Sequence, residues 1–134
     1  MARILIADDN LYARTTIRSL LDWHSFEVCG EAKDGREAIE RVRELKPDIV
    51  LLDINMPELD GVKAAYEIRR ISPQTKIVFL TIHNTLEAAR ITRMWSHGFV
   101  PKSDAGTELI PLLSRLLGRG DDKPRRRSRR AATS

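Results

Sequence analysis

The chain of 134 residues has a single cysteine, Cys29, so an internal disulfide bond is excluded. No stretch approaches the roughly 18 consecutive apolar residues that a transmembrane helix requires. The short apolar run at the N-terminus leads straight into acidic residues, which is not typical of a signal peptide. These absences favour a cytoplasmic protein that does not contact a membrane, and we interpret Cys29 as a small buried hydrophobic residue.

Other common signatures are also missing. The sequence has no GxGxxG loop, no Walker-type phosphate loop, no metal-thiolate spacing and no internal repeat. Hydrophobic residues make up 42% of the chain, which is enough for the core of one domain of ordinary size. We expect that domain to cover residues 1–118, because the apolar pattern ends there.

The positive charge is concentrated in residues 119–134, which hold seven basic and two acidic residues. Subtracting this +5 from the total of +4 leaves −1 for residues 1–118. The segment lacks large apolar residues, and we expect a disordered basic tail or linker. Nucleic acid, an anionic membrane or an acidic partner could bind it, but it has neither interleaved aromatics nor an amphipathic pattern with large apolar residues.

Strand-like and helix-like segments alternate five times along the chain. This alternation predicts a flavodoxin-like (βα)5 three-layer sandwich with a parallel sheet in the order 2-1-3-4-5. The predicted strands are 4–7, 26–32, 49–52, 77–80 and 99–101. The predicted helices are 11–23, with Leu11 on its buried face, then 36–45, 62–71, 86–95 and 107–117, with Thr107 as the last N-cap.

Polar residues follow the predicted strands at the ends where ligands bind in such sheets. Asp8 and Asp9 follow the first strand, Asp53 the third, Thr81 the fourth and Lys102 the fifth. Clustered carboxylates repel one another unless a cation offsets them, and an all-oxygen cluster suits Mg²⁺. A central Asp53 could attack phosphorus to form an aspartyl phosphate, while the metal and Lys102 neutralise the transferred oxygens.

Several segments together resemble the CheY-like receiver domain of bacterial two-component response regulators. They are Asp8-Asp9, residues 52–61 (LDINMPELDG), Leu80-Thr81 and Gly98–Lys102. The sequence Lys102-Ser103-Asp104 is more similar to LuxR/NarL-type regulators, which carry a DNA-binding helix-turn-helix, than to chemotaxis regulators. The resemblance covers about residues 3 to 118. It implies a phosphorylation-dependent response regulator that accepts a phosphoryl group from a sensor histidine kinase or a phosphotransfer protein, with a homodimer formed on phosphorylation.

The resemblance also implies a role for each matching residue. Asp53 is the phosphoacceptor, and Asp9 and Asp53 ligate Mg²⁺ with the Asn55 backbone carbonyl, whereas Asp8 acts largely through water. Thr81 and Lys102 bind the phosphoryl group. Phe99 is the switch aromatic, which turns inward when Thr81 moves, so that the face of the fourth helix, fifth strand and last helix repacks.

Some positions depart from that pattern. Ser103 stands where a cis proline is common, which leaves the backbone at Lys102 open. Trp95 and His97 replace small residues, and Trp95 either fills space beneath the fourth helix or anchors a partner. His83 follows Thr81 by two residues and is expected near the phosphoryl group. It is either a loop residue or, with Asn55, a residue that tunes dephosphorylation.

Other functions also remain open. Asp8 or Asp9 could simply cap the first helix, and Asp53 could be a turn residue. A Mg²⁺-dependent aspartyl-phosphate phosphatase usually needs an acid where Asn55 stands. The chain is either a stand-alone receiver, which catalyses only its own phosphorylation and dephosphorylation, or part of a longer transcriptional regulator. DNA binding would then need an output domain of about 60 further residues.

Overall fold

The computed structural model describes residues 1–54, 56, 60–81, 90 and 93–118. Five strands form its sheet: β1 (Arg3–Ala7), β2 (Glu27–Ala32), β3 (Ile49–Asp53), β4 (Lys76–Thr81) and β5 (Gly98–Pro101). Every pairing between neighbouring strands is parallel, and the order is β2-β1-β3-β4-β5. The predicted flavodoxin-like fold and strand order are confirmed. The predicted tail, 119–134, lies outside the described residues.

Helices cover both faces of the sheet. They are α1 (Leu11–Trp23), α2 (Gly35–Leu45), α3 (Gly61–Ile71) and α4 (Ala105–Leu116), the last preceded by a 3₁₀ turn at Lys102–Asp104. Residues 90 and 93–95 are also helical and belong to the predicted helix 86–95, most of which lies outside the described residues. None of the helices in the described part is long and apolar enough to cross a bilayer.

The two faces of the central strands supply two separate cores. Ile49 and Leu51 of β3 pack with α1 and α4, whereas Val50 and Leu52 pack with α2 and α3. All five residues of β3 are buried. A strand that is covered on both faces must be apolar at successive positions, which is why β1, β3 and β4 read as continuous apolar runs.

The first three helices begin at side chains that accept hydrogen bonds from their first turns. Asn10 accepts from the Ala13 N–H at 2.8 Å, and Asp34 and Asp60 cap α2 and α3 in the same way. The prediction that Asp8 or Asp9 could cap α1 is therefore wrong. Capping by Asn10 keeps both acidic side chains outside the helix.

Two predicted details of the helices are also wrong. Leu11, predicted on the buried face of α1, is 65% exposed because it is the first residue of the helix and lies beyond the core. Thr107 does not cap α4, which starts two residues earlier, at Ala105. Pro111 then falls inside the helix. The described chain has no cis peptide bond, so Lys102–Ser103 is trans.

The side chain of His97 accepts a backbone hydrogen bond from β4 just before β5 begins. The ring Nδ1 of His97 accepts the Ile77 N–H at 3.0 Å, and the backbone N–H of His97 donates to the Ile77 carbonyl at 2.7 Å. The ring can accept this bond only when Nδ1 is unprotonated. Partial burial lowers the pKa of His97, and the positive charges of Lys76 and Arg69 lower it further.

We expect this bond to make stability depend on pH. A folded-state pKa below the unfolded value of 6.5 means that the unfolded chain binds the proton more readily. The stabilisation that the neutral His97 side chain contributes to the free energy of unfolding is therefore complete above about pH 6.5. It is lost as the pH falls through the pKa of His97 in the folded state. Since His97 remains partly exposed to solvent, screening should limit the loss to about 0.5 kcal/mol.

Urea denaturation at several pH values between about 5 and 8 measures this effect. His97→Asn is the matched variant, because an Asn Oδ1 atom can accept the same bond but does not titrate. The difference in stability between the wild type and the variant should shrink or reverse as the pH falls. Parallel pH profiles for the two proteins would contradict the prediction.

Candidate functional site

Three carboxylates converge at the carboxyl end of the sheet. Asp53 is the last residue of β3, and Asp8 and Asp9 directly follow β1, which is the neighbouring strand. One oxygen from each of the three side chains lies within 4.8 Å of the others. Asp8 and Asp53 are buried and Asp9 is exposed. The predicted convergence of these acids is thus present, with one acid at the solvent side.

Asp8 is held at both its backbone and its side chain. Its N–H extends the β1–β2 ladder to the Ala32 carbonyl at 2.9 Å, and its Oδ1 accepts the Asn10 N–H at 2.9 Å. Its Oδ2 lies 2.5 Å from Lys102 Nζ. Asp8 is therefore fixed by contacts from three separate segments of the chain, which accounts for a buried carboxylate at this position.

Lys102 lies between the two buried acids. Its Nζ atom is 2.5 Å from Asp8 Oδ2 and 3.5 Å from Asp53 Oδ2. Partial burial opposes its charged form, but the hydrogen bond to Asp8 and the charge of Asp53 outweigh this effect and raise the pKa of Lys102. The side chain is therefore a permanent cation in the crevice at neutral pH.

Thr81 is the last residue of β4, on the side of β3 away from β1. Leu80 is opposite Asp53 in the register, so Thr81 lies one residue beyond the acceptor along the sheet edge, and it pairs with Pro101 of β5. Its side chain is fully buried. The sheet thus brings Thr81 to the same edge as Asp53 and Lys102, next to the residue that precedes the lysine.

The donor set fits Mg²⁺. Three carboxylates offset by one ammonium leave two negative charges in the cluster. Hard carboxylate oxygens are the protein ligands that Mg²⁺ prefers, and the exposed position of Asp9 leaves room for the waters that this ion retains. Asn55, whose backbone carbonyl was predicted as a further ligand, lies outside the described residues, as does His83.

Two residues next to the acids were not predicted to act there. Gly61 donates its N–H to the Ile54 carbonyl at 2.8 Å, and a Cβ on it would lie 2.3 Å from the Asp53 carbonyl oxygen. Arg14 donates from Nη1 to the Asp8 carbonyl at 2.5 Å. The glycine could have been found from its place at the start of a helix eight residues after Asp53, whereas no sequence signal marks Arg14.

Residues 4–113 match the family described as the response regulator receiver domain. The chain belongs to this family. A receiver domain of this kind serves phosphorylation-dependent signalling in two-component systems, and the resemblance to CheY-like and LuxR/NarL-type receivers is confirmed.

Its relatives include chemotaxis and methylesterase proteins. The chemotaxis protein CheY of Thermotoga maritima is 47% identical over 76 residues, which is 57% of this chain and 63% of that protein. A protein-glutamate methylesterase/protein-glutamine glutaminase of Methanosarcina mazei is 37% identical over 87% of this chain but only 34% of that protein. The receiver thus spans less than two thirds of the length of either relative.

A solved LuxR-family two-component response regulator from Aurantimonas sp. SI85-9A1 has the same fold. Its TM-score to this receiver is 0.80 at 32% identity, with 89% of this chain and 87% of that chain covered. Receiver domains are generally not enzymes, although the methylesterase relative has an enzyme's name. Binding of Mg²⁺ at an acidic pocket and interaction with kinases or phosphotransfer proteins are general features of the family.

Two aromatic residues, Phe99 and Trp95, pack against the same core. Phe99 on β5 is half-buried and packs against the core shared by α2 and α3. Trp95 is also half-buried and packs against that core, with its ring 5.5 Å from the Tyr66 ring at an interplanar angle of 77°. Trp95 therefore packs against α3 through Tyr66, and its role as an anchor for a partner stays a prediction.

Proposed function

We propose that Asp53 accepts a phosphoryl group from a sensor histidine kinase or a phosphotransfer protein, with Mg²⁺ as the cofactor. The observation that carries this proposal is the cluster of Asp8, Asp9 and Asp53, whose oxygens lie within 4.8 Å of one another beside the Lys102 ammonium. A nucleophile, a cation site and a fixed positive charge are the parts that phosphoryl transfer requires.

In the transfer, a carboxylate oxygen of Asp53 forms a bond to phosphorus while the bond from phosphorus to the donor breaks. The bonding pair of electrons leaves with the donor. Lys102 neutralises charge on the transferred oxygens. Asp9, Asp53 and the Asn55 carbonyl would hold Mg²⁺, with Asp8 acting largely through water, and the bound ion would supply further charge neutralisation.

The contacts of Lys102 suggest how the signal starts. The ammonium now bridges Asp8 and Asp53, and a phosphoryl group brings about −1.5 to −2 further charges to Asp53. Lys102 then pairs with a phosphoryl oxygen, and the Thr81 hydroxyl donates to another. Because Thr81 and Pro101 are paired, movement of one strand end is transmitted to the other. Phe99 turns inward, and β5 and α4 repack together with the helix predicted for residues 86–95.

We assign this function to residues 1–118, with 119–134 as a basic tail or linker, in a cytoplasmic protein. Phosphorylation promotes a homodimer, and hydrolysis of the chain's own phosphate, tuned by Asn55 and His83, ends the signal. A second arrangement, in which this receiver is part of a longer DNA-binding regulator, rests on the resemblance of Lys102-Ser103-Asp104 to LuxR/NarL-type regulators.

Incubation with a small phosphodonor, followed by intact mass spectrometry, tests the proposal. We expect one phosphoryl group per chain in the presence of Mg²⁺ and at least a tenfold slower reaction when the metal is chelated. Multiple turnover of many phosphate esters would instead favour a phosphatase. No adduct at saturating Mg²⁺ would rule out the proposed role of the site.

A further inference from the structure

Arg14, the fourth residue of α1, links three parts of the receiver. Its Nη1 donates to the Asp8 carbonyl at 2.5 Å, and its Nε donates to Glu31 Oε1 of β2 at 2.8 Å. Its side chain is only 15% exposed. A guanidinium can make both bonds at once because its donors form a rigid planar fork.

The Asp8 carbonyl belongs to the peptide group that connects Asp8 to Asp9. A peptide group is planar, so the hydrogen bond that orients this carbonyl also orients the Asp9 N–H and the path of the chain into Asp9. The Asp8 N–H, on the previous peptide, is bonded to Ala32. Arg14 thus fixes the point at which the chain leaves β1 and sets the direction of the exposed acid.

Glu31 holds the guanidinium in place. Its second carboxylate oxygen, Oε2, pairs with Arg18 Nη2 at 2.7 Å, one helical turn beyond Arg14. Partial burial opposes the charged form of Glu31, but the hydrogen bonds from Arg18 and Arg14 outweigh it and lower the pKa of Glu31. Glu31 is therefore ionised at neutral pH, and Arg14 is held by a charged partner rather than by solvent.

We propose that Arg14 is a positioning residue for Mg²⁺ binding, which it promotes by orienting the Asp8–Asp9 peptide through the Asp8 carbonyl. This inference rests on the proposed function, since it needs the three-acid cluster to be the metal site. Arg14 is not itself proposed as a ligand, because a guanidinium has only N–H donors and no free lone pair for a metal ion.

Charge and position make opposite predictions at Arg14. A guanidinium close to the acidic cluster repels a divalent cation, so an effect of charge alone would make Mg²⁺ bind more tightly when the charge is removed. Loss of orientation makes it bind more weakly, because partners that orient metal ligands typically contribute about tenfold or more to affinity. The sign of the change therefore distinguishes the two effects.

Mg²⁺ titration by isothermal titration calorimetry, on the full chain, is the test. Arg14→Lys keeps the charge but cannot reach the Asp8 carbonyl and Glu31 together, and we expect about tenfold weaker binding. Arg14→Met should also bind more weakly than the wild type. Arg18→Lys is the matched control, because Arg18 shares Glu31 but has no bond to Asp8, and its Mg²⁺ affinity should stay within about twofold.

Phosphorylation rates provide a second readout. In Arg14→Lys the Mg²⁺ concentration that gives half-maximal phosphorylation should rise about tenfold, with the rate at saturating Mg²⁺ nearly unchanged. If Arg14→Lys does not fold, Arg14→Gln should still bind Mg²⁺ more weakly than Arg18→Gln, which removes the same charge from the pair with Glu31 but no bond to Asp8. If Arg14→Lys binds Mg²⁺ as tightly as the wild type, or Arg14→Met binds it more tightly, the inference about Arg14 is overturned but the proposed function is not. Failure of the wild type to bind Mg²⁺ would overturn the proposed function with it.

Discussion

The Asp53→Asn variant is expected to form no phosphoryl adduct with a small phosphodonor and Mg²⁺. An amide oxygen carries no full negative charge and is a far weaker nucleophile than a carboxylate, so we expect a loss of at least about a thousandfold in the rate of phosphorylation. The side chains have nearly the same shape, and Lys102 retains Asp8 as its closer partner at 2.5 Å. Thermal unfolding should therefore change little, and intact mass spectrometry reports the loss directly.

Asp48→Asn is a suitable control for this experiment. Asp48 directly precedes β3, at the opposite end of the strand from Asp53, and its Oδ2 accepts the Arg3 N–H at 2.8 Å. An asparagine there can accept the same bond, so this variant should be phosphorylated as fast as the wild type. An adduct that persists in Asp53→Asn would place the acceptor at another residue, with Asp8 and Asp9 as the first candidates for peptide mapping.

The sheet and the meeting of its strand ends could be predicted because both follow from long-range burial. A run such as residues 49–52 is apolar at every position only if both faces are covered, and this fixes β3 as a central parallel strand. Once the strands are parallel and the order is 2-1-3-4-5, Asp8, Asp9 and Asp53 must lie at one edge. No detailed side-chain packing is needed for that step.

The helix starts were harder to predict because neighbouring residues compete for the same role. Asp8, Asp9 and Asn10 can all cap a helix, and sequence preferences rank them nearly equally. In the fold Asp8 is already bound to the β2 ladder and to Lys102, so Asn10 becomes the cap. The start of α4 was missed for a related reason, since it has no capping side chain at all.

Contacts within the site could not be read from the order of residues. The sequence predicts that Lys102 and the acids share a crevice, but not that the ammonium lies 1.0 Å closer to Asp8, at 2.5 Å, than to Asp53, at 3.5 Å. The bond from Arg14 to a backbone carbonyl leaves no mark in residue type, because any acceptor of this kind is present at every position. Such contacts depend on how α1 is placed against the end of β1.

Gly61→Ala should have the largest effect on folding among the single changes considered. Gly61 is the first residue of α3, and its φ does not require glycine. The space does, because a Cβ would lie 2.3 Å from the Asp53 carbonyl oxygen and 2.8 Å from the Ile54 Cα. Both atoms are backbone, so the overlap is relieved only by moving β3 or α3, and we expect a loss of about 3 kcal/mol in the free energy of unfolding.

Gly106→Ala is expected to raise the free energy of unfolding, in contrast to Gly61→Ala. Gly106 is the second residue of α4, and a Cβ on it would meet nothing within 4 Å. Alanine there should stabilise the receiver by about 0.5 to 1 kcal/mol, because it reduces the freedom of the unfolded chain and suits a helix. Urea denaturation should thus move the two midpoints in opposite directions from the wild type.

The Gly61→Ala variant also tests how rigidly the acceptor is held. The displaced atom is the carbonyl of Asp53 itself, so the folded fraction of this variant should be phosphorylated more slowly, by about tenfold for a shift of a few tenths of an ångström. Gly106→Ala should keep the wild-type rate. Wild-type stability and rate in Gly61→Ala would mean that the chain after β3 can move aside without disturbing Asp53, and the close approach of α3 would then have no part in positioning the acceptor.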